Sequence, residues 1–430
     1  MKKVLLITTR QLCYGSGAFF AARLAEELEN AGVSIEYCEL GDHSNGNMNN
    51  GEMVLNEEDS NNLESFMGRS FDAVIDFNSK IPRMIMDDGS YYIDHVNAPF
   101  YNYIVDNPLY HHLTLSCELS NYNVILVDKN HCDYVRQYYK HIRKCIFLPL
   151  GASCAVQKSK NKGQWLSDKE RCVLFIGTYR NPQCYIEEID KAKPWFRETM
   201  HSIIELMLED TSITMVHALY KVLGENGLDL GSANGMTERM IKGRNSGNST
   251  LIHNDMSIPE LMNRMYMVEM YLRNYHRKNL IDTLVDGDIP VKVVGDWWDG
   301  YDRIDRPNVE WNPPVRFGRS FDVIAKHRVL ADSSPFFKMG IHDRVWAGMA
   351  NHTAVLTDDN QLKEVLNGKA DVMQLYSLDD MDKCVDKAAR LLTNDLYWQQ
   401  LVDNAYVEYE AGHTWKRVAA ELLKEIAERN

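Results

Sequence analysis

The sequence predicts an α/β protein made of two doubly wound, Rossmann-like domains that face each other across a cleft, with a helical insertion in the second. Three observations lead there. Short apolar runs of strand type alternate with amphipathic helical patterns at both ends of the chain. At 430 residues the chain is too long for one ordinary core, which makes two domains the natural division. The polar, basic stretch 151–169 (GASCAVQKSKNKGQWLSDK) interrupts the alternation between them. The expected boundaries are 1–155 for the first domain and 170–410 for the second, with the insertion at about 185–283 and a last helical segment over 411–430.

In the first domain, KVLLIT (3–8) is a strand, 18–31 is a helix with Phe19, Leu24 and Leu28 on its apolar side, and VSIEYCE (33–39) alternates as a second strand. Residues 42–62, rich in Asn, Gly, Asp and Glu, read as a surface insertion. Further strands are expected at 72–76, 99–105, 123–127 and 145–148. In the second domain CVLFI (172–176), VKVVG (291–295), 308–311, KHRVLAD (326–332) and AVLT (354–357) are of strand type. Two amphipathic helices, 379–393 and 414–429, follow.

Composition narrows the function. Apolar residues at 45% and charged residues at 25% fit a folded globular chain. A formal charge of −14 argues against a general nucleic-acid binder, whose affinity rests on clustered Lys and Arg. Nine scattered cysteines without a C-x-x-C pair read as reduced thiols of a cytoplasmic protein, and no histidine spacing suits zinc, so no catalytic metal is expected. The start MKKVLLITTR is too short and too soon charged for a signal peptide, and no stretch is long and apolar enough to be an integral membrane segment.

The candidate site residues sit where strands run into loops. In FFKMGIHDRVWAGMANHTAVLTDDN (336–360), Pro335 and Gly340 discourage regular structure, Asp343 stands where an N-cap is expected, and a helix should start near 342–344. Lys338, His342 and Arg344 crowd that helix start, where unpaired amide groups and the positive dipole end favour a phosphorylated ligand. Gly15 and Gly17 follow the first strand, where they form either a tight turn or a loop that approaches a ligand; Phe20 in place of a third glycine disfavours a dinucleotide-binding oxidoreductase. Gly177 and Arg180 (FIGTYR) follow a strand, and so do Gly295 and Trp297 (VGDWW). Arg180 is either a phosphate contact or an ordinary exposed arginine, and Trp297 or Trp298 either walls a base pocket or packs in the core. Asp106 and His111 lie around an Asn-Pro step that forces a loop, and they read either as an acid and imidazole near an acceptor hydroxyl or as a turn cap with a packed histidine. Asp286-Gly287-Asp288 has a D-x-D shape but sits where a helix turns into a strand, so a plain turn explains it.

The 336–360 segment resembles the C-terminal signature of CgeB-like, spore-maturation-type glycosyltransferases, a branch of the GT-B, group 1 class. The resemblance is clearest over 171–360, and the stretch Asp106-Asn107-Pro108-Leu109-Tyr110-His111 is similar to a D-x-P-x-x-H pattern of the same relatives. It implies a GT-B-like pair of domains whose last helix crosses back to the first. It also implies that the helix starting near 342–344 and the strand-glycine loop with Arg180 meet the diphosphate of a nucleotide sugar, a UDP-sugar first, without a metal. That sugar nucleotide would be a substrate rather than a cofactor, and the acceptor a glycan, a protein or a cell-surface polymer. Many relatives carry a glutamate on this helix where the chain has Ala347, which leaves a catalytically weak sugar-nucleotide binder or scaffold as the alternative.

Overall fold

A computed structural model describes residues 2–9, 13–41, 57–155, 168–225, 256–359, 366 and 371–428. Two six-stranded sheets, all of whose strands pair in parallel, form the two lobes. The first has the order β2-β1-β3-β4-β5-β6, from β1 (Lys3–Thr9), β2 (Ser34–Leu40), β3 (Ala73–Phe77), β4 (Phe100–Ile104), β5 (Tyr122–Leu126) and β6 (Lys144–Phe147). The second has the order β12-β11-β10-β7-β8-β9, from β7 (Glu170–Ile176), β8 (Val291–Val294), β9 (Val309–Asn312), β10 (His327–Ala331), β11 (Ala354–Asp358) and β12 (Gln374–Tyr376). Strand order reverses between β1 and β3 in one sheet and between β7 and β10 in the other. At such switch points the connecting helices leave on opposite faces and open a crevice at the carboxyl ends of the strands.

Burial explains why near-continuous apolar runs form these strands. Val4, Leu5, Leu6 and Ile7 have no exposed surface, as expected of a central parallel strand covered on both faces. On one side of the first sheet Phe20, Leu24 and Leu28 of the helix Ser16–Asn30 pack with Trp415, Val418 and Leu422 of the helix Trp415–Ala427. The last helix therefore belongs to the first lobe. The chain leaves that lobe at Ala152 and returns at Thr414, and the two crossings pair with each other.

The helices Gln183–Asp190, Pro194–Glu209, Met215–Glu225, Ile258–Arg264 and Tyr266–Asp286 occupy the expected insertion. Its glycine-rich clusters at 224–234 and 243–249 lie almost wholly outside the described residues, as do most of the polar stretch 151–169 and of the segment 42–62; the end of the latter belongs to the helix Glu57–Glu64. The helices Lys129–Tyr138, Phe317–Lys326 and Asp395–Gly412 and the short strand β12 were not anticipated from pattern. The helix after β10 spans Asp343–Ala350 and its N-cap is His342, which corrects the expectation that Asp343 caps it. Asp343 is instead the first helical residue, where a carboxylate suits the dipole.

The lobes touch directly. Asp128, fully buried, caps the helix Lys129–Tyr138 through Oδ1, which accepts from His131 N. Its Oδ2 accepts from Met339 N of the second lobe at 2.8 Å. Gly340 is needed there, since a Cβ would stand 2.5 Å from the Val127 carbonyl oxygen.

Candidate functional site

A cavity of about 270 Å³ lies between the lobes, at the carboxyl ends of both sheets. From the first lobe, Tyr14 and Ser16 follow β1, Asn78 follows β3, and Val105 and Asp106 follow β4. From the second, Gly177 and Thr178 follow β7, Gly295 follows β8, and His342, Asp343, Arg344 and Ala347 come from the start of the helix after β10. A larger open groove of about 610 Å³ runs past Asp72, Asn97 and Asn121 to the end of the last helix, at the opposite edge of the first sheet. It is far from both switch points, where ligands of open α/β sheets gather, so the interlobe cavity is the candidate site.

Positive charge dominates one wall. Arg273 and Arg277 stand four residues apart on the helix Tyr266–Asp286, hence on one face, and both line the cavity with Arg344. Arg344 is held by Asp332, which is fully buried just after β10. Burial is the largest effect and opposes charge on Asp332, but Arg344, His342, the Ser334 hydroxyl and Arg277 together outweigh it and hold the carboxyl below its usual range. Arg273 lies 3.3 Å from the buried carboxylate of Glu269. Arg277 Nε is buried without a hydrogen-bond partner among the described residues, and burial together with Arg273 and Arg344 pushes its pKa down to about 9. A guanidinium this strongly disfavoured is what an anion would relieve.

The residues expected from sequence divide clearly. Gly177, Gly295, His342, Asp343, Arg344 and Asp106 line the cavity together. His342 Nδ1 lies 2.8 Å from Asp343 Oδ1 and 3.3 Å from Arg344 N, so the side chain fixes the first helical turn. Asp106 accepts from Asn78 Nδ2 at 2.7 Å, and Asn78 Oδ1 accepts from Val105 N at 2.9 Å. This pair holds the Asp106 carboxylate at the cavity wall. His111 is set behind it: its Nε2 is buried without a partner among the described residues, and burial, against the pull of Asp106, lowers its pKa. Gly15, at φ +86°, precedes the helix Ser16–Asn30, and Gly17 lies within that helix; their neighbours Tyr14 and Ser16 reach the cavity.

Lys338, Arg180, Trp297 and Trp298 do not face this cavity. Lys338 is buried, donates to the Thr211 carbonyl and lines a separate hollow beside His131 and His217, because the loop turns it toward the insertion. The expectation that Lys338 shares the anion-binding helix start with Arg344 is corrected accordingly. Arg180 and Trp297 lie outside the lining and hold each other, the guanidinium 4.1 Å from the ring centroid. Trp298 is fully buried and donates to the Gly177 carbonyl at 2.8 Å, a core role.

Sequence reading passed over Arg273, Arg277 and Asp332. The spacing R-x-x-x-R in YLRNYHRKN was the available signal for the first two, whereas Asp332 is marked only by its buried partner. Tyr14 was also missed. Its hydroxyl donates to Asp296 and lies 3.3 Å from Thr178 Oγ1, so it bridges the lobes at the cavity.

Comparison with known proteins completes the picture. The family described as "Glycosyl transferase-like" matches residues 273–424, a segment that opens on Arg273 and includes Arg277, Gly295 and Arg344. No curated protein matches the chain. Among solved structures, an α-glucosyltransferase in complex with UDP-glucose and DNA containing an abasic site is similar over 99% of this chain and 99% of its own, with a TM-score of 0.54 and 10% identity. Sucrose-phosphate synthase from Thermosynechococcus elongatus is similar over 99% and 98%, with 0.51 and 10%. Anabaena HepE, in complex with UDP and glucose, is similar over 100% of both chains, with 0.50 and 8%. At such identities the likeness is one of fold. The chain has the two-lobed GT-B fold of glycosyltransferases, and its segment 273–424 matches the model of the glycosyl transferase-like family.

Proposed function

We propose that the protein transfers a sugar from a nucleotide-diphosphate sugar, a UDP-sugar first, to a glycan, protein or cell-surface acceptor without a catalytic metal, as a CgeB-like enzyme. One observation carries this reading: Arg273, Arg277 and Arg344 converge on the interlobe cavity beside the amino end of the helix Asp343–Ala350. A diphosphate leaving group gathers negative charge as the bond from the anomeric carbon to its oxygen breaks. Fixed guanidinium groups and amide dipoles at that point stabilise the departing charge more than the ground state. Asp106, across the cavity, is the base that takes the proton from an acceptor hydroxyl if the reaction inverts the anomeric centre. HepE and the α-glucosyltransferase, of the same fold, carry UDP and UDP-glucose respectively, which supports the choice of nucleotide.

A second reading, a sugar-nucleotide binder with little activity, is favoured by Ala347, which lines the cavity and stands where, by the resemblance, many relatives carry a glutamate. The two separate by experiment. Thermal shift with UDP-, GDP-, dTDP- and ADP-sugars should show stabilisation by one class. Release of free nucleotide from that donor, with and without acceptor extracts, then distinguishes enzyme from binder. Stabilisation by NAD(P) and by no sugar nucleotide would overturn both readings.

A further inference from the structure

At the amino ends of β7 and β10, across the second sheet from the cavity, three side chains of metal-binding type converge. Glu170 and Cys172 are two apart on β7, where its pairing with β10 is irregular, while His327 begins β10 with its Cα in register with that of Glu170. A carboxylate oxygen of Glu170, the Cys172 thiol and a ring nitrogen of His327 all lie within 4.8 Å of one another. The imidazole is already oriented. Its Nδ1 lies 2.6 Å from the Val323 carbonyl, which can only accept, so Nδ1 carries the proton and Nε2 a lone pair. That Nε2 is buried, has no hydrogen-bond partner among the described residues and sits 3.4 Å from Glu170 Oε2. The buried Nε2 thus turns its lone pair toward a half-exposed carboxylate oxygen, and a cation bound between the two would satisfy the imidazole.

We propose that Glu170, Cys172 and His327 bind one zinc-type divalent ion. Thiolate, imidazole and carboxylate form the mixed donor set of Zn²⁺, whereas Mg²⁺ and Ca²⁺ take oxygen ligands. Binding replaces the thiol proton, which goes to solvent, and a water completes a tetrahedron. The ion clamps β7 to β10, the two strands that flank the switch point, from the end remote from the cavity. Its role is to hold the second lobe, independently of sugar transfer. Lys292 competes for the site, since its Nζ lies 2.9 Å from Glu170 Oε2 and 3.1 Å from Glu310 Oε1.

The test uses the full chain with the exposed Cys184 replaced by serine, stripped of metal by a chelator and titrated with Zn²⁺ against a chromophoric competitor. The expected result is one Zn²⁺ per chain, bound roughly tenfold or more weakly after Cys172→Ser or His327→Gln and more tightly after Lys292→Met. Co²⁺ in place of Zn²⁺ should give a thiolate-to-metal charge-transfer band, which does not depend on any ligand variant folding. Absence of that band, or Zn²⁺ binding unchanged in both ligand variants, would overturn the site.

Discussion

Tyr110 donates a hydrogen bond to Glu269 across the lobes, from the loop after β4 to the helix that carries Arg273 and Arg277. Glu269 is 3% exposed and also holds Arg273, so the loop bearing Asp106 and the helix bearing two cavity arginines are joined through one buried carboxylate. Asn263 adds a bond to the Leu109 carbonyl at 2.7 Å. Tyr110→Phe should lower stability by about 1–3 kcal/mol, because the carboxylate loses a donor it cannot replace from solvent. Urea denaturation measures this, and an unchanged midpoint would show that the bond does not join the lobes.

Arg277 should report the anion site with opposite signs in two experiments. Arg277→Met removes a cation that its neighbours repel, so the ligand-free chain should unfold at the same or a higher temperature. Affinity for the stabilising sugar nucleotide should fall about 10- to 100-fold, the worth of a charge-assisted phosphate contact. Calorimetric titration checks the second effect. An unaltered Kd would remove Arg277 from the site.

Asp106→Asn keeps the shape of the side chain that Asn78 holds but removes its basicity. Turnover should fall about 10²- to 10⁴-fold with donor binding preserved. Rapid-quench measurement of the transfer step, with donor Kd as control, separates this from misfolding. Full turnover in the variant would assign the base elsewhere.

Gly295 lines the cavity so close to the opposite loop that a Cβ would stand 2.2 Å from the Gly177 carbonyl oxygen. Gly295→Ala must push that backbone aside, at a cost of about 1–3 kcal/mol. Trp298, whose indole donates to the same carbonyl, would shift with it, and ligand-induced stabilisation should weaken. A variant with normal thermal stability and normal ligand response would contradict the close contact.

Stability should decline with pH through the acidic range because of Asp76. Burial raises its pKa from 3.8 to about 7, with Ser79 and the Phe77 backbone pulling the other way. The folded state then holds a proton that the unfolded state releases. The contribution is fully present below pH 3.8 and lost as pH rises to about 7, with a slope of at most about 1.4 kcal/mol per pH unit. Asp76→Asn should flatten this part of the unfolding profile and raise the unfolding temperature above pH 7. Parallel profiles for the two proteins would mean that Asp76 ionises normally.

The fold was largely legible because burial on both faces writes a parallel strand as a continuous apolar run. KVLLIT, CVLFI and AVLT needed no partner to be recognised. Helices such as Asp395–Gly412 escaped because their apolar positions are spread around the axis and covered by different neighbours. The sequence alone determined eleven of the twelve described strands, the two-domain division and the helix start near Arg344, since these follow from local pattern and backbone chemistry. Tertiary structure decided which cations share a space. It turned Lys338 toward Thr211, set Arg180 against Trp297, brought Arg273 and Arg277 from the insertion to Arg344, and placed Asp106 opposite them. Charge convergence depends on distances between segments far apart in the chain, and those distances are set by sheet order and lobe packing rather than by any local run of residues.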